Sequence, residues 1–130
     1  MVWVAEQIKR PVKWTAERTE SFLTDGQGRD HITKAQMGFD SDGKMVALKV
    51  ETDANLGAYL STFSTAVPTY LHGTLMQGLY TTPAVHITVN AGVTNTAPVD
   101  AYRGAGRPEA TYVIERLVET AAAEMGVDPA

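Results

Sequence analysis

The stretch Ala101–Ala110, with the sequence AYRGAGRPEA, combines two glycines, two arginines and a proline. Glycine lets backbone N–H groups approach a ligand closely, and the side chains of Arg103 and Arg107 can donate charge-assisted hydrogen bonds to phosphate or carboxylate. If a helix begins after Gly106, its N-terminus adds a partial positive charge. These residue types at this spacing suit the binding of a small anionic group.

The same stretch does not match the established phosphate-binding motifs. It lacks the GxxxxGK[ST] pattern, and the spacing of Gly104 and Gly106 does not continue into GxGxxG. By itself, Gly-Ala-Gly between two arginines favours a simpler interpretation, a tight strand-to-helix connection with solvated arginines. The letters of the loop alone therefore leave both interpretations open.

Side chains that commonly catalyse are not grouped elsewhere. Asp40 and Asp42 fit turn chemistry and lack the later ligands of an EF-hand, and no serine has a GxSxG context. The chain has no cysteine, which excludes a disulfide framework, a CxxC zinc site and a cysteine nucleophile. The three histidines, His31, His72 and His86, are well apart, so we predict no metal site.

Two elements must position the loop. Before it, Val85, Ile87 and Val89 alternate with polar residues, which predicts a strand running toward Gly92 and Thr96. After it, Pro108 suits a first helical turn and Gly126 suits a C-terminal cap. Between these two residues an apolar stripe at helical spacing predicts an amphipathic helix, with Ala110, Ile114, Leu117, Ala121 and Met125 on one face.

The remaining patterns predict an α+β fold. Residues 32–39 and 45–53 alternate on either side of the turn Asp40–Gly43, which indicates an antiparallel hairpin. Residues 1–10 suggest part of a helix, residues 12–16 a half-buried strand, and residues 66–79 a loose helical spacing. Four aromatic residues are predicted to lie in the core: Trp14, Tyr59, Phe63 and Tyr112.

Composition restricts the class of protein. The chain has 130 residues, 44% of them hydrophobic and 20% charged, as in a globular domain. The net charge of −4 disfavours nucleic acid or an anionic membrane surface as a partner, because either needs a basic stripe. No apolar run approaches the ~20 residues of a spanning helix, and no secretory signal is evident. We therefore expect a cytoplasmic location.

The order of several short motifs resembles one protein family, the molybdenum-binding large subunit of the xanthine dehydrogenase, aldehyde oxidase and carbon monoxide dehydrogenase family. The resemblance covers nearly the whole chain, and its most specific part is AYRGAGRPEA. The matching stretches, in order, are RPVKW at 10–14, ERTE at 17–20, DGK at 42–44, NLGAY at 55–59, TNT at 94–96 and AYRGAGRPE at 101–109.

The resemblance implies that Arg103, Gly104, Ala105 and Gly106 form the loop against the molybdopterin cofactor, with Ala105 also at the substrate pocket. In the xanthine- and aldehyde-oxidising members a Phe that stacks on the substrate occupies the position of Ala105. In carbon monoxide dehydrogenases a copper-binding Cys occupies the position of Gly104. The chain resembles the form without that cysteine, so no copper is expected. The resemblance places the catalytic glutamate outside these 130 residues, and no residue here is assigned as catalytic.

The implied activity is the oxidative hydroxylation of an aldehyde or N-heterocycle, with water as the oxygen source. The implied partners are further segments of the large subunit, iron–sulfur (2Fe-2S) and flavin (FAD) domains or subunits, and a small-molecule substrate. On this interpretation residues 1–130 form one internal portion of a larger molybdopterin-binding domain and are inactive in isolation. Apolar faces around residues 1–8 and 60–80 should then be exposed. A stand-alone domain that binds a small anion, or a structural domain without a ligand, remains the alternative.

Overall fold

The computed structural model describes residues 1–129, which form four α-helices, one π-helical segment and three strands. The elements, in chain order, are α1 Val2–Ile8, α2 Arg18–Thr24, β1 His31–Phe39, β2 Met45–Asn55, the π-helical segment Ala66–Leu71, α3 His72–Leu75, β3 Ala84–Gly92 and α4 Arg107–Met125.

The three strands form one mixed sheet in the order β1-β2-β3. β1 and β2 are antiparallel, and Val50 of β2 lies opposite Ala35 of β1. β2 and β3 are parallel, and Val50 lies opposite Ile87 of β3. The π-helical segment and α3 lie in the crossover between these parallel strands. The predicted hairpin is confirmed, and so is the predicted strand before the loop.

The hairpin turn is held by its own residues. Asp40 Oδ1 accepts the backbone N–H groups of Asp42 at 3.0 Å and Lys44 at 2.9 Å. Gly43 has a φ of +80°, a conformation that glycine adopts at little cost. The two aspartates are therefore used in turn chemistry, as predicted.

One face of the sheet is covered by helices and carries the core. Leu48 and Val50 of β2 pack with Met76, Ala110 and Ile114 in a single buried cluster. Alternate residues of β2 point away from this cluster, and Lys49, Glu51 and Asp53 are exposed on the opposite face. Strand alternation thus places an apolar surface against the helices, and the α+β class is confirmed.

The predicted C-terminal helix is also confirmed. Pro108 stands in the first turn of α4. At the other end, Gly126 has a φ of +70°, and the N–H of Val127 donates to the carbonyl of Ala122 at 3.0 Å. This arrangement satisfies carbonyls that the helix end would leave without partners.

The predicted strand at residues 12–16 is wrong. These residues form no strand, and Trp14 is 56% exposed. Apolar–polar alternation produces a strand only where another strand supplies hydrogen bonds, and none lies alongside. The residues that follow form the helix α2. At its start, the Glu20 carboxylate accepts the N–H of Glu17 at 3.0 Å.

Residues 1–10 and 66–79 contain helices, but the second region is less regular than its spacing suggested. The N–H of His72 donates to the carbonyls of Val67 and Thr69, so the turn before α3 is wider than an α-helix. Pro68 lies inside this segment and has no N–H to donate. No helix among residues 1–129 is long and apolar enough to cross a bilayer.

Candidate functional site

The loop between β3 and α4 is shaped by three consecutive residues with positive φ. The angles are +93° at Gly104, +38° at Ala105 and +90° at Gly106. The N–H of Ala105 donates to the Tyr102 carbonyl at 2.7 Å, and the N–H of Arg107 donates to the Gly104 carbonyl at 3.1 Å. Glycine tolerates this backbone, whereas a non-glycine residue such as Ala105 rarely adopts it.

Gly106 is glycine for a second reason, since it is pressed against the start of α3. A Cβ at Gly106 would lie 2.9 Å from the backbone nitrogen of His72 and 3.0 Å from the carbonyl carbon of Leu71. Backbone atoms cannot move aside as a flexible side chain can. The loop is therefore seated on the Leu71–His72 peptide by direct contact.

Three backbone N–H groups of the loop residues Arg103–Gly106 have no acceptor among residues 1–129, that of Arg103 and, nearer to α4, those of Gly104 and Gly106. The latter two lie at the N-terminus of α4, where the helix dipole favours negative charge. The side chains of the flanking Arg103 and Arg107 are exposed, and both residues are positively charged. The loop therefore offers free backbone donors, helix polarity and two cations, which together suit an anionic ligand.

Arg29 contacts this loop from the other end of the sequence. Its Nη2 donates to the Arg103 carbonyl at 2.8 Å, and its Nε lies 3.3 Å from Oε1 of Glu109. Its guanidinium lies 4.8 Å from the centre of the Tyr102 ring. This residue could not be found from the sequence, because nothing in the local pattern connects position 29 with a loop 74 residues later.

The segment just before Arg29 is paired backbone to backbone with the segment just before the loop. The N–H of Gln27 donates to the Pro98 carbonyl, and the N–H of Asp100 donates to the Gln27 carbonyl, both at 2.8 Å. A Cβ at Gly28 would lie 2.9 Å from Cβ of Tyr102. The turn at residues 25–28 therefore holds in place the segment that leads into the loop.

A side-chain network around Asn55 supports the same approach. Its Nδ2 donates to Asp30 at 2.7 Å and to Thr96 at 2.8 Å, and its Oδ1 accepts from Thr94 at 2.7 Å. Two residues later, a Cβ at Gly57 would lie 2.4 Å from the backbone of residues 97 and 98. The NLGAY and TNT stretches, which the sequence linked only through their resemblance to one family, are thus in contact with each other.

Two of the three histidines lie together beside the loop. The rings of His31 and His72 are stacked with centroids 4.4 Å apart. His31 Nε2 donates to the Pro68 carbonyl at 2.9 Å, and His72 Nε2 lies 3.2 Å from the Thr52 hydroxyl. Burial, with a smaller effect from His31, lowers the pKa of His72 to about 4. At neutral pH His72 is therefore an uncharged, buried contact of the loop.

Of the other residues singled out from the sequence, His31 and His72 lie beside the predicted site residues, and His86 does not. Arg103, Gly104, Ala105 and Gly106 are contiguous in the loop, with the Gly106 backbone buried and Ala105 half-buried. His86 is exposed on β3, away from the loop. No three His, Asp or Glu residues in the described part of the chain could together hold a metal ion.

The aromatic residues were assigned wrongly. The residues predicted for the core are all more than half exposed, at 56% for Trp14, 63% for Tyr59, 58% for Phe63 and 68% for Tyr112. The prediction followed the usual preference of large apolar rings for burial, but these side chains find no partner within residues 1–129 that covers them.

Comparison with known proteins gives this geometry a family context. A molybdopterin cofactor-binding domain model matches residues 1–130. The chain is 34% identical over 125 residues to the 6-hydroxypseudooxynicotine dehydrogenase complex subunit gamma of Paenarthrobacter nicotinovorans, which covers 96% of this chain and 16% of the relative. It is 36% identical over 128 residues to the carbon monoxide dehydrogenase large chain of Hydrogenophaga pseudoflava, covering 95% and 16%.

Solved structures agree in fold. The quinoline 2-oxidoreductase of Pseudomonas putida 86 superposes with a TM-score of 0.91 at 30% identity, over 98% of this chain and 16% of that chain. A Cu,Mo-CO dehydrogenase superposes with a TM-score of 0.81, also at 30% identity and over the same shares. The chain thus spans only 16% of the length of these relatives.

Proposed function

Because the chain belongs to the family of molybdopterin cofactor-binding domains, we propose that the loop Arg103–Gly106 holds the molybdopterin cofactor of a molybdenum hydroxylase. The observation that carries the proposal is the positive-φ loop, whose free N–H groups at Gly104 and Gly106 lie at the N-terminus of α4. The 130 residues act as one portion of a larger domain, since the relatives they match are several times longer.

The residues present fit an anionic, phosphate-bearing cofactor. The N–H groups of Gly104 and Gly106 would donate to its oxygens, and Arg103 and Arg107 would add positive charge beside them. The small side chain of Ala105 would leave space beside the bound cofactor for substrate. When bound, the cofactor supplies the redox chemistry by which oxygen from water is inserted at an electron-poor carbon.

The proposed substrate is an aldehyde or an N-heterocycle, and the proposed location is the cytoplasm. Gly104 has no thiolate to bind copper, so we propose a centre with molybdenum and without copper. The catalytic glutamate comes from another segment of the enzyme. Electrons leave through 2Fe-2S and FAD groups on partner domains or subunits. Iron and flavin that purify with the intact protein in a fixed ratio to molybdenum would support those partners.

The loop proposal is tested by the substitution Gly106→Ala in the intact protein, produced in a host that makes the cofactor. The added Cβ would lie 2.9 Å from the His72 nitrogen, at a φ of +90°, so the loop must shift. A loss of about 1.4 kcal/mol in binding would lower cofactor affinity about tenfold. Molybdenum per chain, measured by mass spectrometry, and pterin, measured by fluorescence after oxidation, should both fall.

The matched control is Gly43→Ala. Gly43 has a φ of +80° but no atom within 4 Å of an added Cβ, and it lies in the hairpin turn. This variant carries the same backbone strain without touching the loop, and it should keep its molybdenum. Equal molybdenum and pterin contents in the wild type and Gly106→Ala would contradict the proposal.

The alternative, a stand-alone domain that binds a small anion, predicts a different result. The cofactor-free chain would then bind inorganic phosphate tightly in calorimetry, and binding would be lost in Arg103→Ala and Arg107→Ala. That result, together with wild-type protein that contains no molybdenum, would favour the alternative.

A further inference from the structure

Arg29 is placed to control the direction in which the loop offers a backbone donor. In a trans peptide the C=O of one residue and the N–H of the next point in opposite directions. The Arg103 carbonyl and the Gly104 N–H belong to one peptide unit, and Arg29 Nη2 donates to that carbonyl at 2.8 Å. Fixing the carbonyl therefore also fixes the Gly104 N–H, which has no protein acceptor in the described residues.

The guanidinium is itself held on two further sides. Its Nε faces Oε1 of Glu109 at 3.3 Å, and Glu109 lies in the first turn of α4, with its side chain only 12% exposed. Its Cζ lies 4.8 Å from the centre of the Tyr102 ring. A planar group with donors on several edges can make all three contacts at once, which an ammonium group on a flexible stem cannot.

The backbone of Arg29 is also unusual, with a φ of +57°. A non-glycine residue in this region carries a conformational cost that the surrounding structure must offset. The neighbouring Gln27 is fixed by its two backbone hydrogen bonds to Pro98 and Asp100. Backbone pairing on one side and the three side-chain contacts on the other together hold Arg29 in place.

We propose that Arg29 is a positioning residue that sets the orientation of the Arg103–Gly104 peptide, and thereby the donor that the loop presents to the cofactor. This inference rests on the proposed function of the loop. Arg29 acts through the loop backbone, and no contact between Arg29 and the cofactor is required.

Hydrogen–deuterium exchange of the intact protein tests the positioning role without the cofactor. In Arg29→Ala the peptide covering residues 101–107 should exchange about tenfold faster, because one fixed orientation of the loop is replaced by several. Amides of β2 should exchange as in the wild type, whereas a general loss of structure would accelerate both. Arg29→Lys should give an intermediate rate, since the ammonium group keeps the charge and can donate to the Arg103 carbonyl, but lacks the planar geometry that serves all three contacts.

The variant Arg29→Gly keeps the experiment decisive if Arg29→Ala fails to fold. Glycine adopts a φ of +57° without strain, so this variant removes the side chain while easing the backbone. The matched control is Arg116→Ala. Arg116 and Arg29 line one cleft, together with His31 and Tyr112, but Arg116 pairs with Glu119 at 3.0 Å and has no hydrogen bond to the loop. Unchanged exchange at residues 101–107 in folded Arg29→Gly would overturn the positioning role.

A second experiment measures the rate at which the same proteins release molybdenum, and it tests the link to the cofactor. Arg29→Ala and Arg29→Gly should both lose molybdenum about tenfold faster than the wild type and Arg116→Ala on dilution into cofactor-free buffer. Equal release rates would overturn the link to the cofactor. Wild-type protein without molybdenum would instead refute the proposed function, and the exchange experiment would still decide whether Arg29 orders the loop.

Discussion

At the scale of single residues, His72 joins the loop to the sheet. It is fully buried, its backbone nitrogen is the atom nearest to a Cβ built on Gly106, and its ring stacks on His31. The Thr52 hydroxyl is within hydrogen-bond distance of both the His72 ring and the Thr33 hydroxyl. The two hydroxyl oxygens are 3.0 Å apart. A protonated His72 would place a positive charge in this enclosed site beside another histidine, which is why its pKa is lowered to about 4.

This lowered pKa predicts a pH dependence of stability. The unfolded chain binds a proton at His72 near pH 6.5, whereas the folded chain does so only near pH 4. The stabilisation is therefore fully present above pH 6.5 and is lost as the pH falls from 6.5 toward 4. We expect His72→Gln to remove this dependence, on the order of 2 kcal/mol, in urea unfolding followed across the window.

A histidine outside the core serves as the control for this measurement. His86 is exposed on β3, so His86→Gln should leave the pH profile of unfolding as in the wild type. A profile that is as steep in His72→Gln as in the wild type would show that the dependence comes from other groups.

At the scale of elements, α4 serves both the core and the loop. Its first turn carries Glu109, which faces Arg29, and its buried stripe places Ala110 and Ile114 against β2 and Met76. The opposite face carries Tyr112, which is 68% exposed. Since the helix is held to the sheet by its stripe, the position of its N-terminus depends on core packing several residues away.

We therefore expect Ile114→Ala to lower the free energy of unfolding by about 2–5 kcal/mol, because the removed atoms leave a cavity in a site that is 1% exposed. Tyr112→Ala, on the same helix, should change it by less than about 0.5 kcal/mol. Denaturant midpoints of the two variants compare them directly. A similar cost at both positions would contradict the observed orientation of α4.

At the scale of the whole molecule, both regions that were predicted to expose apolar side chains do so. The first is α1, where Val2 is 85% and Trp3 is 70% exposed. The second lies between residues 60 and 80, where Tyr70 is 68% and Leu79 is 85% exposed. Apolar surface of this extent usually meets another polypeptide. The chain spans 16% of its relatives' length, which supports the proposal that other segments cover these faces.

Residues 1–130 produced alone should therefore self-associate. The sedimentation coefficient should rise with protein concentration, and a charge placed in either region, Trp3→Lys or Leu79→Lys, should reduce that rise. Val93→Lys is the control, since Val93 is 68% exposed but lies outside both regions. A wild-type chain that stays monomeric at all concentrations would argue against these faces as contact surfaces.

The amino-acid sequence by itself determined the features that depend on near neighbours. Alternation and an Asp-Gly turn specified the hairpin, and Pro108 and Gly126 specified the ends of α4. Two glycines around Ala105 specified a tight connection into α4, although the letters of this loop left its ligand open. In each case the signal and its structural effect lie within a few residues of each other, so local backbone chemistry is sufficient.

The tertiary structure decided which residues support that loop and which patterns find partners. Arg29 meets the Arg103 carbonyl across 74 residues, and Gly57 meets the backbone of residues 97 and 98. Residues 12–16 alternate like a strand and form none, because no strand lies alongside to supply hydrogen bonds. Contacts between distant segments depend on how the whole chain packs, and no spacing within a single segment records them.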